Sequence, residues 1–216
     1  MAKQNVINRS SQSLTLDPGA AGDSFLQFSI NTTGEFRIGV DDTDDSFRIS
    51  QGSALGTNDT FVMSAVGENL KPLQPAFAAR NTSSITNVTG DGTVYTIVYG
   101  TEIFDNVGNF VTTTFTAPRT GRYRLVGSMR LSPFDATYTS GYTQIVTTSR
   151  TYRSWSLNYG AAREGISNQL NIGIVSVLCD MDATDTAVVQ VMVSGGLKTL
   201  ASGGGGRGLF NGVLVC

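Results

Sequence analysis

Apolar and polar residues alternate along most of this chain at the two-residue period of a half-buried strand, and no window beyond about ten residues carries an apolar stripe at helical spacing. Thr, Val, Ser and Ile recur in the pattern that suits a pleated surface, so an all-β protein is expected. The alternation is longest in the C-terminal third, which closes on Leu209-Phe210-Asn211-Gly212-Val213-Leu214-Val215-Cys216. Apolar side chains at a free end fray and stick unless their strand is paired, so this last strand is expected between two neighbours in a sheet.

The pattern divides the chain into zones. Residues 1–22 form a polar arm in which Gln12 to Asp17 alternates briefly before Pro18-Gly19-Ala20-Ala21-Gly22 breaks it; such an arm gains order on binding something. Residues 23–67 read as short strands over Ser24 to Ile30, Glu35 to Val40, Ser46 to Ser50 and Phe61 to Val66, separated by turns. Strands this short are marginal alone, so Phe25, Phe28, Phe36, Ile38, Phe47, Ile49, Phe61 and Val62 need partners from other copies, the logic of an intertwined trimeric stem. Residues 68–75 are a linker in which Pro72 and Pro75 hold the preceding residues extended. Beyond it, longer strands are expected near Ala76 to Arg80, Val94 to Phe104, Asn109 to Thr116, Gly121 to Leu131, Tyr142 to Asn158, Gln169 to Asp180, Thr186 to Ser194 and Leu209 to Cys216. They suit a jelly roll or another two-sheet sandwich over 76–216.

Composition narrows the picture. With 216 residues and 40% hydrophobic content the chain can bury a core, and 25 glycines with only 15% charged residues fit strands joined by turns. A net charge of −2 gives no basic field for a polyanion, which argues against nucleic acid as a partner. No stretch is apolar enough to insert in a membrane, and Met1-Ala2-Lys3-Gln4-Asn5 leads into polar residues without a secretory core, so synthesis in a cytoplasm is expected. Asn-x-Ser/Thr triplets at Asn8, Asn31, Asn58, Asn81 and Asn87 are then read as chance rather than as glycosylation sites. Cys179 and Cys216 lie in apolar runs and read as buried thiols; a disulfide between them requires their strands to pair. The absence of histidine excludes every His-dependent triad and His-ligated metal site.

Two phrases resemble known families. Phe36-Arg37-Ile38-Gly39-Val40-Asp41-Asp42, Asp45-Ser46-Phe47-Arg48-Ile49-Ser50 and Ala54-Leu55-Gly56-Thr57-Asn58-Asp59 are similar to stem repeats of bacteriophage and virus fibre proteins. Over residues 75–216, Pro75-Ala76-Phe77, Phe104-Asp105, Phe110, the run from Phe115 through Ala117-Pro118-Arg119-Thr120-Gly121-Arg122-Tyr123, Asp185 to Val191, and the ending Phe210-Asn211-Gly212-Val213-Leu214-Val215 resemble the jelly-roll heads of complement-type and tumour-necrosis-factor-like proteins. Together the resemblances imply a homotrimeric virion structural protein exposed on the particle, a head fibre, decoration protein or tail fibre. Its arm, residues 1–22, would join a capsid or tail protein and its head would meet a host-surface glycan or protein. Rival readings are an architectural cement without receptor binding, a cellular complement-type ligand-binding protein, and a sugar-cleaving fibre depolymerase.

Candidate chemistry is sparse. Asp41, Asp42, Asp44 and Asp45 could offer oxygens to Ca²⁺, although a solvated turn is the simpler reading, and no cofactor is otherwise expected. The acidic loop Asp180 to Asp185 reads the same way, and Ser202 to Gly208 reads as a flexible loop whose one charge is Arg207. Tyr138, Tyr142, Tyr152, Trp155 and Tyr159 stand among Ser and Thr, the mixture that glycan- or protein-binding surfaces use, and with Arg207 they are the candidate binding surface; packing at subunit interfaces is the competing role. Glu102, Asp105 and Glu164 pair with no nucleophile, and the chain is expected not to be an enzyme.

Overall fold

A computed structural model describes residues 16–19, 21–30, 33–134, 137–154, 170–205 and 207–215, without the side chains of 33, 34 and 170–173. The described residues are all strand, turn and loop, with no helix among them, so the protein is all-β. The chain divides into two compact units, Met1–Gln74 and Pro75–Cys216.

The first unit is one antiparallel meander of β1 (Ser24–Ile30), β2 (Thr33–Asp41), β3 (Ser46–Gln51), β4 (Asp59–Met63) and β5 (Asn69–Leu70), hydrogen-bonded in that order. Register sorts its side chains into two unlike faces. The pairs Leu26↔Ile38, Phe28↔Phe36, Ile38↔Ile49, Val40↔Phe47, Ile49↔Phe61 and Phe47↔Met63 place all these apolar residues on one face. The other face carries Gln27, Arg37, Arg48, Ser50 and Asp59. Phe25 and Val62, expected with the apolar set, belong to this polar face instead, because each lies one residue out of phase with it. Phe25 there packs under the Arg37 guanidinium, 3.9 Å from the ring centre. Gly39, opposite Phe25, has no room for a side chain, since a Cβ would stand 2.1 Å from the Ser24 carbonyl oxygen.

The second unit is a sandwich of two sheets. A seven-stranded sheet holds β6 (Ala76–Asn81), β7 (Ile85–Thr89), β9 (Thr101–Asp105), β12 (Gly121–Ser132), β15 (Leu170–Met181), β17 (Leu200–Ser202) and β18 (Gly208–Leu214). A six-stranded sheet holds β8 (Val94–Thr96), β10 (Phe110–Val111), β11 (Thr114–Thr116), β13 (Ser140–Thr147), β14 (Thr151–Arg153) and β16 (Thr186–Ser194). The principal strands run β6-β18-β12-β15 in one sheet and β11-β16-β13-β14 in the other, the alternation of a jelly roll. The last strand, β18, lies between β6 and β12 as its apolar ending requires.

Inward residues of both sheets make one core, in which Phe77, Tyr99, Phe115, Tyr123, Leu125, Val189, Val191 and Phe210 are buried. Phe77 stacks on Phe110 and Phe115 and meets Phe210 edge-on, with ring centres 4.7–5.0 Å apart. In the Ala-Pro-x-x-Gly-x-Tyr phrase, Tyr123 buries its ring and donates its hydroxyl hydrogen back to the Arg119 carbonyl at 2.7 Å. Gly127 makes room for the opposite layer, since a Cβ there would come within 2.6 Å of Val189, and Gly212 makes room for its neighbours in the same sheet, since a Cβ there would come within 2.6 Å of Leu125 and Phe77.

The buried Cys179 is a free thiol, donating weakly to the Tyr123 carbonyl at 3.5 Å; Cys216 lies outside the described residues. Burial, with the Asp180 charge beside it, pushes the Cys179 thiol up to about 11. At pH 8 only about a thousandth of such a thiol is thiolate, so Cys179 is expected to resist maleimide for hours in the native protein and to react within minutes once unfolded. Rapid native labelling, read as mass on the Cys179 peptide, would contradict this packing.

Several strands expected as single runs are broken. Val94 to Phe104 divides into β8 and β9, which belong to different sheets; between them Ile97 and Tyr99 keep pointing into the core while the backbone crosses over. Tyr142 to Asn158 contains a hairpin, whose turn needs neither Gly nor Pro because the Thr147 hydroxyl binds Arg150 from both sides: it donates to the Arg150 carbonyl and accepts from its N–H.

Candidate functional site

On the polar face of the first unit one arginine organises the acidic residues. Arg48, on β3, points its guanidinium at Asp41, at the end of β2, at 3.2 Å, at Asp44 in the β2–β3 turn at 2.6 Å, and at Asp59 at the start of β4. Asp41 also accepts the Thr43 N–H at 3.0 Å, and Asp59 accepts the Ser50 hydroxyl and the Gly56 N–H. Burial works against the Arg48 charge, but the Asp59 hydrogen bond and the Asp59 and Asp41 charges outweigh it and raise its pKa. The Ser46 hydroxyl leads in holding the Asp44 carboxyl below its usual range, against desolvation, and with help from the Ser46 N–H and Arg48.

Of the four aspartates singled out for Ca²⁺, Asp41 and Asp44 are therefore engaged by Arg48, and Asp42 and Asp45 are exposed. A different trio, Asp23, Asp41 and Asp42, brings carboxylate oxygens within 4.8 Å of one another. Asp23 is turned there to accept the Asp42 N–H at 3.2 Å, and the neighbouring guanidinium already supplies positive charge.

In the second unit the aromatic candidates separate. Tyr138 is 1% exposed; its ring packs edge-on to Phe134 and its hydroxyl shares a 2.8 Å hydrogen bond with Thr199, so it is a core residue and offers no binding surface. Its place follows from the close approach of the loop at Gly195-Gly196, where any Cβ would collide with Thr137, Thr139 or Tyr138. Tyr142 is half-buried beneath Arg153, whose guanidinium lies 3.7 Å over its ring. Tyr152 is half-buried against the core. Trp155 and Tyr159 lie outside the described residues. Arg207 is exposed on the loop between β17 and β18 of the seven-stranded sheet, whereas Tyr142 and Tyr152 lie on β13 and β14 of the other sheet; burial first, and the Arg207 charge after it, lower the Arg130 pKa.

What the fold does assemble is a polar ladder across the outer face of the six-stranded sheet. Arg153 Nε donates to Gln144 at 3.0 Å, Gln144 Nε2 to Gln190 at 2.8 Å, and Gln190 Nε2 to Thr96 at 3.2 Å. Cross-strand register puts these four residues in one row on β14, β13, β16 and β8. Beside the row, a groove of about 480 Å³ opens between the edge strands of the two sheets, lined by Tyr152, Arg153, Ser154 and Ile174–Val177. A planar cation stacked on a tyrosine, with hydroxyls and apolar walls at hand, can bind a sugar ring or a peptide edge.

The outer face of the seven-stranded sheet is a second surface. Ile174 and Leu178 on β15 are 69% and 58% exposed, and Leu209, Val213 and Val215 around β18 stand exposed with them. Leu178 and Val213 lie in one row on either side of Arg124. β15 keeps Ile174 and Leu178 at positions alternating with the buried Val175 and Cys179, on a face that also carries Arg124 and the exposed Arg122–Asp180 ion pair. Arg48 was legible in the sequence as the lone cation set between Phe47 and Ile49 and facing an aspartate run across a turn.

No protein-family model matches the chain, and no curated protein matches its sequence. Solved structures with similarity cover 66% of this chain. They include the globular domain of zebrafish complement 1qA protein, at 15% identity, TM-score 0.43 and 98% of that chain. Murine APRIL at pH 8.5 matches at 8% identity, TM-score 0.43 and 99% of that chain. PRD1 vertex protein P5 matches at 8% identity, TM-score 0.44 and 98% of that chain. At these values the likenesses carry no statement about what this chain binds; the jelly-roll assignment stands on its own strand order.

Proposed function

We propose that this chain is a virion structural protein, a homotrimer that displays its jelly-roll head outward on a short β-stem to engage a host-surface glycan or protein. The observation that supports this reading is the group of exposed apolar residues Ile174, Leu178, Leu209 and Val213, set among Arg80, Arg122, Arg124 and Asp180 on the outer face of the seven-stranded sheet. Isolated soluble domains rarely leave such a surface open, and copies of the head meeting on it would bury it. Three heads on one particle site then raise effective concentration, so weak contacts at the Tyr152–Arg153 groove become useful avidity. Residues 1–22, largely outside the described residues, would be the link to a capsid or tail protein.

An architectural cement without a ligand is the second reading, favoured by one fact: Tyr138 is spent on the core and Tyr142 on Arg153. Two measurements separate the readings. Light scattering of the full-length protein is expected to give a mass near three times 22.9 kDa, and a monomer would overturn the trimer. Binding to host cells or a glycan array is then expected to fall at least tenfold in Arg153→Ala with the mass unchanged. A trimer that binds neither would leave the cement.

A further inference from the structure

We propose that the second unit carries an oxyanion-binding site where the glycine-rich loop between β17 and β18 crosses Arg130, with the guanidiniums of Arg130 and Arg207 as its donors. The site takes a carboxylate or phosphate group and needs neither the trimer nor the Tyr152–Arg153 groove.

Arg130 alternates on β12 with the buried Met129 and Leu131, so its side chain leaves on the outer face of the seven-stranded sheet. There the loop lies directly on it. The Gly203 N–H donates to the Arg130 carbonyl at 2.7 Å, and a Cβ on Gly203 would stand 3.2 Å from Arg130 Cγ. Gly204 is pressed against the connection between β6 and β7, where a Cβ would come 2.9 Å from the Thr82 carbonyl oxygen. Glycine at both positions lets bare backbone settle over the arginine stem, and Arg130 Nε is sealed from solvent with no hydrogen-bond partner. An arginine cannot shed its proton to escape this, so the buried N–H calls for an acceptor that the described residues do not provide.

Two observations make that acceptor an anion rather than water. Across 203–208 the sequence is Gly203-Gly204-Gly205-Gly206-Arg207-Gly208, so the one side chain the loop brings to Arg130 is a second cation. Desolvation first, and the Arg207 charge after it, disfavour the charged form of Arg130. A water would satisfy the N–H and leave the two like charges opposed, whereas an oxyanion answers both, and the planar guanidinium fork matches the oxygens of a carboxylate or a phosphate. The second observation is the placement of acid. Ion pairs among the described residues belong to Arg48 and Arg122, so Arg130 has no carboxylate partner among them. Asp180, which pairs with Arg122, lies opposite it at the far end of β12, about 26 Å away at the rise of a strand.

The test titrates the full-length protein calorimetrically with inorganic phosphate and, separately, with glucuronate, both at fixed ionic strength. Saturable binding of one anion per chain is expected, weakened at least tenfold in Arg130→Met and in Arg207→Gln. Arg119→Gln, which removes an exposed charge at the β11–β12 turn, is expected to bind as wild type does. Tighter phosphate assigns a phosphate-bearing partner and tighter glucuronate an acidic sugar; both bear the inference out. Arg130→Lys covers the case in which Arg130→Met fails to fold: it keeps the charge and the stem but places a methylene where Nε was, and binding should still fall at least threefold. Three results overturn the inference: no saturable binding of either anion, binding that survives in every folded Arg130 variant, or equal weakening in Arg119→Gln, which would make the effect one of net charge. None of them alters the light-scattering mass or the Arg153→Ala result, so the proposed function stands or falls separately.

Discussion

Phe77→Ala is expected to cost the second unit about 3–5 kcal/mol and to lower its unfolding midpoint by about 10 °C or more. Phe77 is 1% exposed on β6 in the seven-stranded sheet, and its ring stacks on both Phe110 and Phe115 of the β10–β11 hairpin of the other, where Phe210 and Tyr123 also meet them. Removing it empties the space between Phe110 and Phe115 and withdraws the edge-on partner of Phe210. Those rings are held by strands on all sides and cannot collapse into the gap, which puts the cost at the upper part of the range for large-to-small substitutions. Phe104→Ala is the control: Phe104 sits across from Ala78 on the neighbouring strand but is 47% exposed, and its loss is expected to cost under about 1 kcal/mol. Calorimetry on the two variants checks the pair, and equal costs would show that the core is not where these rings place it.

The same residues show how far the fold was legible. Where one strand stays in one sheet its alternation reads directly: Ser24 to Ile30 and Thr186 to Ser194 are found as expected, and Gly121 to Leu131 differs by one residue. Legibility fails where the chain changes sheets without changing period, because Ile97 and Tyr99 continue to point inward through the crossing between β8 and β9. It fails again for β7 and β17, whose short Thr- and Ser-containing runs look like turns and become strands only by pairing with each other and with β12. In the first unit the existence of an oily face was legible but not its full membership. Phase is fixed by cross-strand register, and register moved Phe25 and Val62 off the face while bringing Leu26, Val40 and Met63 onto it.

The candidate sites were less legible, for a related reason. A tyrosine reads as a surface aromatic or a core one only once its strand's phase against the opposite sheet is known, and Tyr138 fell to the core side because the Gly195-Gly196 loop closes over it. The ladder from Arg153 to Thr96 joins residues from four strands, and no spacing along the chain encodes it. The aspartate run was visible, but its cation was not sought within the chain. Arg48 was already there, on the facing strand of the same hairpin.

Arg48→Met is expected to destabilise the first unit by about 3–5 kcal/mol, because it leaves the carboxylates of Asp41 and Asp59 buried with no counter-charge. The side chains of Asp41 and Asp59 are 8% and 7% exposed, so water cannot replace the guanidinium, whereas Asp44, half exposed, can turn to solvent. Hydrogen exchange is the appropriate readout: amides of β2, β3 and β4 should lose protection while those of β12 and β16 keep theirs. Adding Asp41→Asn and Asp59→Asn to Arg48→Met should restore most of the protection, since neutral amides no longer need the cation. The deficit of the single variant should also narrow in acid, where proton uptake neutralises the stranded carboxylates. The native protein responds with the opposite sign. The Asp44 carboxyl is held below its usual range by Ser46, so its contribution is complete above the unfolded carboxyl value near 4 and is lost as pH falls through the lower folded value. Wild type therefore weakens in that acid window while Arg48→Met gains on it, and two stability curves that ran parallel from pH 7 to pH 3 would show that Arg48 does not hold this face together.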